Sequence, residues 1–208
     1  MDRRHFAAAL AALPLTAASL TSARAQVRVE DLMKPAGNLP DVVMGSADAK
    51  ATIIEYASMT CSHCAHFNET TWPDLKKKYI DTGKVRFIMR EFPLDPLAAG
   101  GFMLARCSGD KREAMIDLLF RQQRNWAFVE KPVDALAALV KQAGFTQESF
   151  EKCLTDQKLL DGVLAVKNQG QNDFKVDATP TFFINGNKYP GAMSIDEFDK
   201  ILSPIVGN

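Results

Sequence analysis

The feature that most constrains this chain is the segment 51–92, where an apolar run, a helical run and a second apolar run follow one another. Residues 51–58 (ATIIEYAS) are short, apolar and rich in isoleucine, which predicts a buried strand. From Cys61 to Tyr79 the large apolar residues Phe67, Leu75 and Tyr79 recur at multiples of four, a helical spacing. Lys76, Lys77 and Lys78 lie toward the end of that run, where the helix dipole favours cations. Pro73 predicts a kink, and Asp81-Thr82-Gly83 a stop. Residues 85–92 (VRFIMREF) set Val85, Phe87 and Met89 against Arg86 and Arg90, the alternation of a strand. Two strands joined by a helix-length crossover form a βαβ unit, so these strands are expected to be parallel.

Pro93 and Pro96 end that pattern, and no strand signal follows until about Phe174. Helices are expected at about 97–108, 111–124, 132–143, 147–153 and 157–172. The fourth begins at a cap, Thr146-Gln147-Glu148, just after Gly144 closes the third. Beyond the block, 181–184 (TFFI) reads as a strand, Asn185-Gly186 as a hairpin turn, and Lys188 and Tyr189 as its partner strand. A last helix is expected over 194–202, capped by Ser194. The order is β-α-β, helical insertion, β-β-α, an α/β fold with a mixed sheet. The expected divisions are 26–96 and 175–208 for the two halves of the sheet domain, and 97–174 for the helical insertion.

Residues 1–25 read as a signal peptide: a basic start, an Ala/Leu middle and the small-x-small ending Ala23-Arg24-Ala25, with cleavage expected after Ala25. Arg3-Arg4-His5-Phe6 partly resembles a twin-arginine motif, so both the Sec and the Tat route stay open. The apolar stretch 6–20, interrupted by Pro14, is shorter than the roughly 20 residues a spanning helix needs. An exported, periplasmic protein is therefore expected. The balance of 25 basic and 25 acidic residues argues against a nucleic-acid partner.

Four cysteines carry the chemistry. Cys61-Ser62-His63-Cys64 stands where the first strand gives way to its helix. A structural staple with two intervening residues would remove little chain entropy. A zinc site of this spacing normally needs a second such pair, and Cys107 and Cys153 stand far apart in sequence, so no metal is expected. A redox dithiol fits best. At the first turn of a helix, Cys61 meets free backbone N–H groups and the positive end of the dipole, and both favour a thiolate. His63 adds a donor or a positive charge beside it, and Cys64, one turn on, can attack a mixed disulfide on Cys61.

With these residues in view the chain resembles the DsbA family of periplasmic thiol:disulfide oxidoreductases. The resemblance runs over about 40–206 and rests on the strand before the Cys61–Cys64 motif, the helical insertion, and Ala178-Thr179-Pro180-Thr181 before the next strand. It implies a thioredoxin fold with an inserted all-helical domain and no cofactor. It implies a cis Pro180 facing the cysteines, with Thr179 and Pro180 holding the substrate backbone. It implies a buried Glu55 that relays a proton to and from Cys64, and disulfide donation to reduced, unfolded exported proteins. It also implies re-oxidation by a DsbB-like membrane quinone reductase. Ser62 stands where many relatives have proline, which leaves the redox potential open between an oxidase and a reductase or isomerase. A peptide-binding chaperone with an incidental dithiol is a further alternative. The lead-in 26–50 is too short for the dimerisation domain of isomerase relatives, so a monomer is expected.

Cys107 and Cys153 both fall in the insertion. Two buried free thiols are one reading. In an oxidising compartment a structural disulfide is favoured, as in some DsbA-like proteins, and closing that loop is worth roughly 4 kcal/mol in the chain-entropy model. His66 is expected to have a surface or packing role. Trp72, Trp126, Phe182 and Phe183 are core or groove residues.

Overall fold

The computed structural model describes residues 26–37 and 39–207, so the expected signal peptide over 1–25 lies outside the described residues. Five strands form one mixed sheet: β1 (Val43–Met44), β2 (Ala51–Ala57), β3 (Val85–Glu91), β4 (Thr181–Ile184) and β5 (Asn187–Pro190), in the order β1-β3-β2-β4-β5. β2 and β3 are parallel, with Ala51 opposite Val85 and Glu55 opposite Met89. β4 runs antiparallel to β2, and β5 antiparallel to β4 across the Asn185-Gly186 turn. Asn185 and Gly186 both adopt positive φ, as a tight hairpin demands.

β2 is buried at every position because it is central and covered on both faces. Its alternating side chains feed two cores. Ile53 and Ala57 point into the larger core, with Phe67, Phe87, Phe182 and Phe198. Ile54 and Tyr56 point into the smaller one, with Ile88, Phe92, Val166 and Phe183.

The helix after β2 is interrupted. α2 (Ser62–Thr70) stops at Thr71, α3 (Trp72–Leu75) follows, and Lys76–Ile80 closes as a π-turn with the Asp81 N–H bonding the Lys76 carbonyl at 2.9 Å. Pro73, lacking an N–H, cannot complete the ladder, and Thr71 absorbs the break with φ −112°. α1 (Val29–Leu32) and β1 were not expected; segments of four and two residues are too short to show a period.

The insertion comprises α4 (Pro96–Cys107), α5 (Arg112–Arg121), α6 (Gln123–Trp126), α7 (Pro132–Gln142), α8 (Gln147–Leu154) and α9 (Gln157–Asn172). A helix expected over 111–124 is thus two helices, parted at Gln122. The insertion does not form a core of its own. Leu119, Trp126, Leu136 and Val140 belong to the same cluster as Ile53 and Phe87. α9 returns across the sheet, where Gly170 lies against the Tyr56 ring. The last helix, α10 (Ile195–Val206), has the reciprocal Ser194–Glu197 cap and runs past its expected end. Pro204 falls in its final turn, and Leu202 and Val206 continue the buried face begun by Phe198. This is a thioredoxin fold with a helical insertion between β3 and β4.

Candidate active site

The turn from β2 into α2 places the first cysteine. The Cys61 N–H bonds the Ser58 carbonyl at 3.1 Å, and Cys61 takes extended dihedrals, φ −83° and ψ 118°, as the residue before the helix. No side chain caps α2, so no side-chain oxygen competes with the sulfur for its first-turn donors. The backbone N–H groups of Cys64 and His63 lie where they favour the Cys61 thiolate. Cys61 is 9% exposed and Cys64 is fully covered, so only the Cys61 sulfur can meet another molecule.

The loop before β4 closes the site. The Thr179–Pro180 peptide is cis, and the Cys61 thiol donates to the Thr179 carbonyl at 3.2 Å. The Thr179 hydroxyl is buried without a hydrogen-bond partner, and its nearness favours the Cys61 thiolate. The Cys64 thiol, the Thr179 hydroxyl and the backbone N–H groups of Cys64 and His63 draw the Cys61 pKa down to about 5, against the opposing effect of burial. Burial, the Cys61 thiol and the Glu55 charge push Cys64 well above the ordinary thiol range. The two sulfurs are therefore unequal.

Glu55, on β2, is fully buried, and neither carboxylate oxygen has a hydrogen-bond partner. Burial first, and then the Cys61 charge, push its pKa up to about 8. At neutral pH it is a buried acid beside two sulfurs.

The structure thus brings Cys61, Cys64, Glu55, Thr179 and Pro180 together. His63 is exposed, and its backbone N–H is among the groups that lower the Cys61 pKa. His66 is exposed. Trp126, Phe182 and Phe183 are deeply buried, and Trp72 packs on Phe87 at 4.5 Å, which makes all four core residues. Cys107 on α4 and Cys153 on α8 stand with their sulfurs 2.08 Å apart, bonding distance, and so are not at hand to complete a zinc site with Cys61 and Cys64.

Three further residues hold the catalytic turn. Thr60 donates to Asp95 at 2.6 Å, Asp95 caps α4 through the Ala98 N–H at 2.7 Å, and Gln123 of α6 donates to the carbonyls of Met59 and Cys61. The Asp95-Pro96 pair is a helix-start signal that sequence inspection could have used; nothing in the pattern around Gln123 marks it. Beside Thr60 and Asp95 opens an apolar hollow of about 630 Å³, lined by Met103, Phe128, Val133 and Leu136 among others.

A family model described as thioredoxin matches residues 38–203, and the chain belongs to that family. Two Rickettsia proteins, each named "Putative protein-disulfide oxidoreductase", are similar to it. The R. bellii protein is 38% identical over 148 residues, 70% of this chain and 57% of the relative. The R. felis protein is 35% identical over 158 residues, 75% of this chain and 56% of the relative. The chain therefore spans a little over half the length of these curated relatives. Among solved structures, alpha-DsbA1 of Wolbachia pipientis superposes with a TM-score of 0.78 at 29% identity, covering 85% of this chain and 95% of that one.

Proposed function

We propose that this protein is a DsbA-type thiol:disulfide oxidoreductase that donates its Cys61–Cys64 disulfide to reduced, unfolded proteins in the periplasm. The observation that carries this reading is the inequality of the two sulfurs. Cys61 sits at the helix N-terminus, hydrogen-bonded and reachable, across from the cis Thr179–Pro180 peptide, while Cys64 is sealed beneath it.

The exchange follows from that arrangement. A substrate thiolate attacks the Cys61 sulfur, the Cys61–Cys64 bond breaks, and Cys64 leaves with the electron pair. Glu55, protonated below about pH 8, supplies the proton that the buried Cys64 thiolate needs. A second substrate thiolate then attacks the substrate sulfur of the mixed disulfide and expels Cys61, whose thiolate the site stabilises. Two electrons pass from the substrate to the pair. Because the reduced form is the stabilised one, the disulfide form is the oxidant. Thr179 and Pro180 hold the substrate backbone beside Cys61. The apolar hollow, with Phe128 and Val133 exposed at its wall, suits the apolar segments that only an unfolded chain presents. A DsbB-like quinone reductase would take the two electrons onward, and the Cys107–Cys153 bond staples the insertion.

The test is the reduction potential of the pair, by equilibration in glutathione buffers. A value near −120 mV, the figure characteristic of DsbA, supports the oxidant. A value near −270 mV, that of thioredoxin, makes the protein a reductase instead.

A further inference from the structure

The turn that carries Cys61 is held by the insertion and by the two residues that lead into it. The Ser58 hydroxyl accepts from the Leu94 N–H at 3.2 Å, and Thr60 is tied to Asp95. The Met59 side chain, fully buried, packs on Gly101 of α4 beside Trp126. A Cβ at Gly101 would stand 3.1 Å from Met59 Cγ and 3.5 Å from the Trp126 ring. Gln123 completes the set. It is 3% exposed and reaches out of α6, which is itself pinned because the buried Trp126 donates its indole N–H to the Leu119 carbonyl at 2.8 Å. Its single Nε2 donates to two carbonyls two residues apart, Met59 at 2.8 Å and Cys61 at 3.0 Å.

An amide that bridges two carbonyls fixes the backbone between them. Here that backbone is Thr60 and Cys61, the last residues before α2. The Cys61 carbonyl is also the one that the N–H groups of Cys64 and Ala65 bond to start the helix, each at 3.1 Å. Gln123 thus acts on the group that orients the first helical turn, whose N–H donors serve the sulfur.

We propose that Gln123 is a positioning residue for thiol–disulfide exchange: by clamping the Met59 and Cys61 carbonyls it makes the reactivity of Cys61 depend on the helical insertion. The proposal rests on the reading of Cys61 as the attacked sulfur. Without the clamp, the turn gains freedom, the first-turn donors lose their aim, the Met59 carbonyl loses its side-chain donor, and the Cys61 carbonyl keeps only the Cys64 and Ala65 N–H groups.

The test uses Gln123→Met, which keeps the length and apolar stem and removes both donors. The Cys61 thiolate is read by its absorbance near 240 nm over a pH titration, and the dithiol–disulfide balance by equilibration with glutathione. The expected result is about tenfold less thiolate at a fixed pH below the midpoint, and about a tenfold shift of the balance toward the disulfide, which is about 30 mV. A folded variant within twofold of the wild type in both readouts overturns the clamp and leaves the oxidant reading standing. A wild-type Cys61 that ionises like an ordinary thiol removes the oxidant reading and the clamp together. Should the variant not fold, the wild type answers by NMR. The side-chain amide signals of Gln123 are expected to shift with the Cys61 titration, and signals that stay fixed overturn the proposal.

Discussion

At the scale of the residue, the site works by imposing opposite environments on chemically identical groups. Cys61 and Cys64 differ because one stands before a helix and the other inside it, with Glu55 beneath. The ionisation of Cys61 is expected with a midpoint at about 5, so its alkylation by iodoacetamide should already be at its plateau by pH 7. Thr179→Val deletes the hydroxyl donor and should move that midpoint upward, measurable by the same absorbance titration. Since the Cys61 pKa is lowered in the fold, the reduced protein draws stability from it above the ordinary thiol value of 9.0. That contribution shrinks as pH falls from 9 and is gone below about 5. Glu55 works in the other direction. Its raised pKa means that the folded state tolerates the acid fully below 4.5, and that stability is lost as pH rises through about 8. Glu55→Leu is therefore expected to be more stable than the wild type, with a gain that grows between those pH values in urea unfolding. It should also release Cys64 more slowly in stopped-flow exchange with a reduced peptide.

At the scale of the element, close approaches decide which substitutions the fold accepts. α9 crosses the sheet only because Gly170 carries no side chain; a Cβ there would lie 2.6 Å from the Tyr56 ring. That ring cannot retreat, since it is fully buried, its hydroxyl accepts from Arg90 at 3.0 Å, and Arg90 is bound to Asp41. Gly170→Ala, a helix-favouring change on propensity alone, is expected to destabilise by about 1–3 kcal/mol through overpacking, seen as a lower midpoint in urea. The break between α2 and α3 belongs to this scale too. Thr71 turns its hydroxyl to the Met193 carbonyl at 3.0 Å, so the interruption at Pro73 docks the helix to the loop ahead of α10.

At the scale of the whole molecule, sheet and insertion are one mechanical unit. Glu91, fully buried at the end of β3, holds Arg106 of α4 at 2.7 Å and Arg112 of α5 at 3.0 Å. Their charges keep its carboxyl below the usual carboxylate range despite burial. Glu91→Ala would leave two guanidinium groups without their partner and should cost about 3–5 kcal/mol. The Cys107–Cys153 bond ties α4 to α8 over a separation of 46 residues. Replacing both cysteines with alanine is expected to lower stability by about 4 kcal/mol, measurable by thermal unfolding, because the unfolded chain regains the freedom of that loop.

Much was legible in the sequence because it is written in local patterns. The βαβ unit, the insertion, the final hairpin and the capped last helix each follow from periodicity or turn chemistry within a few residues. The Cys61-Ser62-His63-Cys64 spacing announced a dithiol, since two thiols one helical turn apart have few other uses. What proximity in space decides could not be read this way. That the Cys61 thiol meets the Thr179 carbonyl, that the buried Glu55 lacks any hydrogen-bond partner, and that Gln123 holds the Met59 and Cys61 carbonyls all depend on which residues far apart in the chain meet. Hydrogen bonding and desolvation act over a few ångströms whatever the sequence separation. So the sequence by itself determined which elements form and which thiols are paired for chemistry. The helix start already pointed to Cys61 as the thiol that ionises; only the tertiary structure, by setting dielectric and donors around each sulfur, decided how unequal the two are and what holds Cys61 in place.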